Sequence, residues 1–513
     1  MKILLVVIVY LGVSKAANIL GIWFYSGKSH HILGEVLLKE LARRGHNVTM
    51  VSTFPLKEPF PNYTDVYLTG MKEDHDEKLR AFLDMNKADI FTFLNFVLGI
   101  TKAHTELTLV HPEMERLLES GTKFDVIITD WFLNFAIFYF GKLLNCPVIP
   151  LASLGTLSVQ NMLTGNPDEP SYIPILGLEF PIEMSFFQRT FNGIVHLYLQ
   201  LIGRSNMRYH QDLIKKHFND TMTDEEMSDT LALVLSNGHY SFESPRPYVP
   251  NIIPVGGFHI EAPKKLPRHL QDFLDSADRG AIFFSLGTNV KSKFLPSKVI
   301  QDILKVFSKL PYKFIFKWEA EGIVNKPNNV LIQKWFPQND ILVHRNLKLF
   351  ISHGGMLSTI EAMYHAVPVL GIPIYGDQRL NIPSAVKKGY ALQLNLEDLN
   401  EETLYTYIEE IMTNPKYKEK VTQLSVLLKD QPLPPMDTAV FWVEHVIKHK
   451  GGSHLKNYGI KLTWYQYYMI DVTLFIVFIL LSILLLIYVF IRELLIFIQQ
   501  CIITERYEKF KEN

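Results

Sequence analysis

Short runs of apolar residues recur along the 513-residue chain, each followed by a stretch of helical periodicity, and this alternation limits the fold more than any other feature. The runs fall at residues 18–24, 48–52, 125–129, 281–286, 312–317, 330–333, 349–352 and 367–372. Strands that are apolar on both faces belong to parallel sheets covered by helices on both sides. In the first unit, strand 18–24 passes through a loop at 26–30 into a helix with Leu33, Val36, Leu37 and Leu41 on one face. Arg43-Arg44 and Gly45 then give a cationic last turn and a glycine stop before strand 48–52, which completes one βαβ unit. Six of the 27 prolines fall between Pro245 and Pro267, about five times the chain average, and mark a stiff linker between two halves. The expected class is therefore α/β, with two doubly wound halves at 17–245 and 268–440 and a linker at 246–267.

The mean hydropathy of +0.09 is high for a soluble chain of this size, and the excess sits at the two ends. Lys2, an apolar run at 3–13 and Ser14-Lys15-Ala16-Ala17 read as a secretory signal peptide over 1–16, cleaved after Ala16. Residues 472–491 are 20 positions without a charge, bounded by Asp471 and Arg492-Glu493, long enough as a helix to match the hydrocarbon thickness of a bilayer. A core helix of that length is seldom apolar all round. Lys448, Lys450, Lys456 and Lys461 before this run balance Arg492, Arg506, Lys509 and Lys511 after it, so flanking charge does not orient it. The signal peptide does. It sends both halves and an aromatic-rich juxtamembrane segment at 441–471 to the lumen, and leaves a cytosolic tail at 492–513. Sequons at Asn47, Asn62 and Asn219 then lie on the glycosylation-competent side, although Asn47 opens a strand. Lys509 and Lys511, near the end of the chain, resemble a dilysine retrieval signal, so the expected location is the endoplasmic-reticulum membrane in a single-pass type I topology.

A net charge of −1 argues against a partner held by phosphate contacts along a nucleic acid. Cys146 and Cys501, the only cysteines, exclude a disulfide-built scaffold or a thiolate metal cluster, and the expected topology separates them across the membrane.

In open parallel sheets, ligands bind beyond the carboxyl ends of the strands. His30, Asp130, Thr288, Trp335, His353 and Asp377 all fall at such ends. The densest constellation reads Trp335-Phe-Pro-Gln338, then Ser352-His353-Gly354-Gly355-Met-Leu-Ser358-Thr-Ile-Glu361, then Pro373-Ile-Tyr-Gly-Asp377-Gln378. A strand, a Gly-Gly turn and a helix starting near Ser358 offer free N–H groups and a positive dipole end to an anion. His353 can add a donor, Glu361 is placed to accept ribose hydroxyls, and Trp335 offers a flat face to a base.

This stretch resembles the signature of the UDP-glycosyltransferase family of membrane-anchored glucuronosyl- and glucosyltransferases, and looks most like its invertebrate members. The resemblance extends from the signal peptide through Pro250-Asn251-Ile-Ile-Pro-Val-Gly-Gly257 to the anchor. It implies a GT-B fold: two Rossmann-like domains facing a cleft, acceptor in the first and UDP-sugar in the second, plus one C-terminal transmembrane helix. It assigns Trp335 to uracil stacking, Gln338 to uracil and ribose, His353 and Ser358 to the diphosphate with the Gly354-Gly355 turn, Glu361 to ribose, and Asp377 with Gln378 to sugar hydroxyls. Gly287, Thr288 and Arg246 match weaker positions near the diphosphate. Leu357 stands where many relatives carry Asn, so Ser358 and the backbone are left to hold the phosphate.

Histidine suits a base acting on a hydroxyl because imidazole ordinarily titrates near neutrality. His30 lies 16 residues before His46 of Arg-Arg-Gly-His, the register at which the family's catalytic histidine stands, and His31 is expected to point away. Asp130 matches the partner position, where it holds the ring tautomer as in triads. Asp125 opens the strand at the wrong end. The expected reaction is a single inverting displacement of a hexose onto a hydroxyl of a small lipophilic acceptor, with UDP-glucose ahead of UDP-glucuronate as donor. No cofactor or metal is expected: Asp74-His75-Asp76, a metal-binding pattern in another class, reads as a solvated helix face. Residues 90–100 and 186–202 either line the acceptor pocket or form ordinary core helices. The alternatives are a hydrolase or epimerase on the same fold, and a non-catalytic UDP-sugar-binding subunit in a homo- or hetero-oligomer.

Overall fold

A computed structural model describes residues 16–84, 90–175, 178, 180–181, 183–287, 295–319 and 326–511. The first sheet comprises β1 (Asn18–Ile22), β2 (Asn47–Ser52), β3 (Tyr63–Tyr67), β4 (Val126–Asp130), β5 (Val148–Ala152), β6 (Val234–Ser236) and β7 (Ile252–Pro254). The second comprises β8 (Ala281–Ser285), β9 (Lys313–Lys317), β10 (Val330–Gln333), β11 (Leu347–Ser352), β12 (Val369–Gly371) and β13 (Ala391–Gln393). The orders are β3-β2-β1-β4-β5-β6-β7 and β10-β9-β8-β11-β12-β13. Every pairing is parallel.

Successive residues of β1 alternate between two cores, Ile19 with Leu37 and Ile128 on one face, Leu20 and Ile22 with Ile127 and Trp131 on the other. In β8, Phe283 and Phe284 divide in the same way. Each such fully buried side chain contributes roughly 1.5–3 kcal/mol, so both sheets are sandwiched as the continuous apolar runs require.

Strand order reverses between β1 and β4 and between β8 and β11, the switch points where a crevice opens at the carboxyl ends. Registers bring the ends level there, with Ile22 opposite Thr129 and Ser285 opposite Ser352.

The proline-rich stretch at 246–267 contains β7, which pairs with β6 and so closes the first sheet. Residue 440 falls within the Pro435–His449 helix, whose Ala439, Val440, Val443 and Val446 bury into the first half's core beside Leu33 and Leu41. Arg44 pairs with Asp437, and His46 Nε2 lies 3.4 Å from Glu444, fixing that return.

The chain divides after Lys456 into two compact units. The second is dominated by one helix, Ile470–Lys511, of 42 residues, long and apolar enough to cross a membrane. It contains 472–491 and continues past Arg492, so most of the segment expected as a tail is helical. Nearly all of the expected signal peptide, residues 1–15, lies outside the described residues. Cys146 is buried and Cys501 exposed, and neither is in a disulfide.

Candidate active site

The loop leaving β1 enters the Lys28–Arg43 helix, which puts His30 in the first turn. The indole N–H of Trp23 donates to the His30 carbonyl at 2.9 Å. Gly34 lets this helix lie close to the Trp23 ring, since a Cβ there would sit 2.3 Å from it. His30 Nδ1 stands 3.0 and 3.1 Å from the two carboxylate oxygens of Asp130, the last residue of β4. Asp130 is fully buried. Ser153, immediately after β5, donates to Asp130 at 2.6 Å and lies 3.1 Å from His30 Nδ1. Tyr25 and Phe132 enclose the imidazole with ring centroids at 4.9 and 4.6 Å. A carboxylate on Nδ1 fixes the tautomer and leaves Nε2 basic, an arrangement that can take a proton from a hydroxyl. His31 turns to Glu35 at 3.0 Å, and Asp125 accepts from the Asn18 N–H at the opposite end of the sheet.

On the second sheet, His353 follows β11 and leads through Gly354-Gly355 into the Met356–Tyr364 helix, which starts two residues earlier than expected. Gly287, in the turn after β8, and Gly355 press on the His353 ring: a Cβ at either would come within 2.7 Å of it. Burial pushes His353 down to about 4, so the imidazole is neutral, and its Nδ1 has no partner among the described residues. Gln338 donates from Nε2 to both Ser358 Oγ (3.0 Å) and Glu361 Oε2 (2.8 Å), joining three expected site residues. Burial raises Glu361 to about 7, against the Gln338 hydrogen bond that favours its charged form. Asp377 accepts from the Met356 N–H at 3.1 Å and from Asn381 at 2.9 Å. Its carboxyl is raised by burial, opposed by those donors and by the field of His30. Gln378 accepts the Ile374 and Tyr375 N–H groups on Oε1, which shapes the turn before its helix. Trp335 is 67% exposed, its ring available at the rim.

His30, Ser153, Trp335, Gln338, His353, Gly355, Ser358, Glu361, Asp377 and Gln378 line one cavity of about 1190 Å³ reaching both sheets, and Asp130 meets it through its hydrogen bond to His30. Arg246 also lines it, but donates to the Thr156 carbonyl of the first half at 3.2 Å. Thr288 lies outside the described residues. Leu94 and Val97 of the Ile90–Leu109 helix, and Phe191, Val195, Leu199 and Ile202 of the Phe186–Phe218 helix, form apolar wall, so both segments left open by the sequence face the cavity. Asn47, Asn62 and Asn219 are exposed.

Sequence reasoning missed three groups. Ser153 follows a strand that Pro147 and Pro150 disguise. Lys317 ends β9, where its Nζ donates to the Gly287 carbonyl and pairs with Glu319 at 3.0 Å. The third corrects an expectation: Asp74 and Asp76 do form a solvated face, paired with Lys78 and Lys72 at 2.7 Å, but His75 between them is only 3% exposed and lines the cavity. Helical period turns the middle residue of such a triplet inward. Among the described residues, no group of three or more His, Cys, Asp or Glu side chains is arranged to hold a metal ion.

Solved structures share this fold. The calicheamicin glycosyltransferase CalG4 superposes with a TM-score of 0.55 at 17% identity, covering 84% of this chain and 98% of that one. A Polygonum tinctorium UDP-glucosyltransferase gives 0.56 at 15% identity, covering 84% and 99%. These neighbours identify the paired sheets as GT-B. UDP-glucosyltransferase 2 of Dactylopius coccus is 37% identical over 476 residues, 91% of each chain. UDP-glucuronosyltransferase 2B1 of Rattus norvegicus is 30% identical over 477 residues, covering 86% of this chain and 87% of the other. The profile of the family described as UDP-glucoronosyl and UDP-glucosyl transferase matches residues 24–507. The chain thus belongs to the UDP-glucoronosyl and UDP-glucosyl transferase family and is a glycosyltransferase.

Proposed function

We propose that this protein is an inverting UDP-hexosyltransferase acting on a hydroxyl of a small lipophilic acceptor, with UDP-glucose as its preferred donor. The observation that carries the reading is the single cavity in which His30, held by Asp130 and Ser153, shares one space with Asp377 and the start of the Met356–Tyr364 helix. His30 takes the acceptor proton on Nε2 as the oxygen attacks the anomeric carbon. Asp130 stabilises the imidazolium. The bond to UDP breaks, and the diphosphate is received by the neutral His353, Ser358 and the free N–H groups of the helix start. Trp335 takes the uracil face, Gln338 and Glu361 the ribose, and Asp377 with Gln378 the sugar hydroxyls. Arg246 and Gly287 stand at the margin of the diphosphate site. The charge on UDP is met by these groups without a metal, so a chelator is expected to leave turnover unchanged.

The apolar walls from 90–109 and 186–202 favour acceptors that partition into lipid. The C-terminal helix serves as the anchor, with the catalytic body in the endoplasmic-reticulum lumen, where Asn62 and Asn219 are candidate glycan sites and Asn47 a poorer one. UDP-glucose is preferred because the 37%-identical relative is named a glucosyltransferase and the 30%-identical one a glucuronosyltransferase. Membranes containing the full chain, incubated with each UDP-sugar and a panel of phenols and read by product mass, test the proposal. Hexosides formed from UDP-glucose support it. Glucuronides alone overturn the donor choice, and free hexose without a glycoside overturns transfer.

A further inference from the structure

We infer that the acceptor pocket contains a second polar subsite at His75, which binds a second hydroxyl of the acceptor, so that compact aromatic diols are preferred over mono-ols. This rests on the transferase reading above and adds the acceptor's substitution pattern to it. His75 stands on the Met71–Asp84 helix with its ring in the cavity wall. The Tyr25 ring packs on both it and the proposed base: Tyr25 lies 5.2 Å from His75 and 4.9 Å from His30 by ring centroids, edge-on to each. Leu79, Leu94, Val97 and Phe132 line the same cavity and give it apolar surface.

Two observations separate His75 from an ordinary core histidine. Its Nδ1 is buried with no hydrogen-bond partner among the described residues, a costly state shared by His104 and His210, but His75 unlike those two lines the cavity. Its neighbour His104, 5.5 Å away by ring centroids, lies 3.4 Å from Asp74 through Nε2, and Asp74 and Asp76 accept from Lys78 and Lys72 at 2.7 Å, so both carboxylates flanking His75 in sequence are engaged elsewhere. Burial holds His75 down at about 4. A neutral imidazole offers one donor and one acceptor, the complement of a hydroxyl.

The test uses the full chain in membranes with UDP-glucose, and compares 1-naphthol with a set of dihydroxynaphthalenes as acceptors. For the wild type, kcat/KM for the best diol is expected to exceed that for 1-naphthol by about tenfold, since a site that hydrogen-bonds a substrate hydroxyl discriminates against the analogue lacking it. His75→Leu is expected to bring that ratio close to one by lowering the diol value alone, and His75→Gln, which keeps a hydrogen-bonding group, to retain most of it. An unchanged ratio in His75→Leu, an equal fall for both acceptors, or a wild type with no diol preference overturns the subsite. Transfer to 1-naphthol by the wild type establishes the transferase reading independently, and its absence with every acceptor and UDP-sugar overturns both.

Discussion

The two walls of the cavity treat their polar groups differently. On the first sheet, His30, Asp130 and Ser153 satisfy one another within 3.1 Å, a closed network that holds a ring in one tautomer. On the second, His353 keeps an unpartnered Nδ1, Glu361 is raised to about 7 and Asp377 is raised as well, all by burial. A cluster whose polar groups are matched among themselves, as these three are although His75 on the same wall is not, is suited to moving a proton at a fixed atom. A wall of desolvated, partly unmatched groups is suited to receiving many polar atoms from a ligand. The difference fits the proposed function, with chemistry on the first half and donor recognition on the second.

If that division holds, substitutions in the first wall reduce turnover and leave UDP affinity alone. His30→Ala is expected to lower kcat about 10⁴-fold, roughly 5 kcal/mol of barrier, with UDP binding by calorimetry within twofold of wild type. Loss of both together breaks the comparison. Asp130→Asn keeps the shape but no longer enforces the tautomer, and is expected to cost about 10³-fold in kcat, again at constant UDP affinity.

The second wall responds through stability and pH. Glu361 holds its proton up to about 7 when folded, against 4.5 as the ordinary value, so the native state binds more protons than the unfolded one between those limits and stability falls as pH rises through them. Glu361→Gln removes this penalty. Without UDP, the variant's unfolding free energy relative to wild type is expected to grow by roughly 3 kcal/mol from pH 4.5 to pH 8, read from denaturant midpoints. A constant difference across that range contradicts the burial argument. The smallest effect is Ser153→Ala, which removes one hydrogen bond to Asp130 and is expected to reduce kcat about tenfold. A larger loss than in Asp130→Asn reverses the order of importance within the first wall.

Much of this arrangement is legible in the chain before any coordinates. Strands such as β4 and β8 announce themselves because burial on both faces leaves only apolar residues, and the carboxyl ends of such strands locate Asp130 and His353, with His30 in the helix turn that follows β1. What hides the rest is also physical. Pro150 lies inside β5, against the usual confinement of proline to sheet edges, and so conceals Ser153 beyond it. β6 and β7 are three residues each, too short for periodicity to register. His75 looks solvated from its neighbours in sequence, whereas a helix decides exposure by angle. Gln338 is recognisable from its motif, but its bridge from Ser358 to Glu361 depends on a loop whose path no local pattern specifies.

Opposed walls have a stereochemical consequence. In the proposed reaction, with the base on the first sheet and the diphosphate site on the second, the acceptor oxygen approaches the anomeric carbon from the face opposite the departing UDP. The anomeric proton coupling of the glycoside formed from α-linked UDP-glucose, recorded by NMR before any equilibration, tests this directly. The account predicts a large coupling and a β-linked product. An α-linked product requires retention, through an intermediate on an enzyme nucleophile or by attack from the leaving-group face, and would contradict the assignment of His30 as base in an inverting displacement.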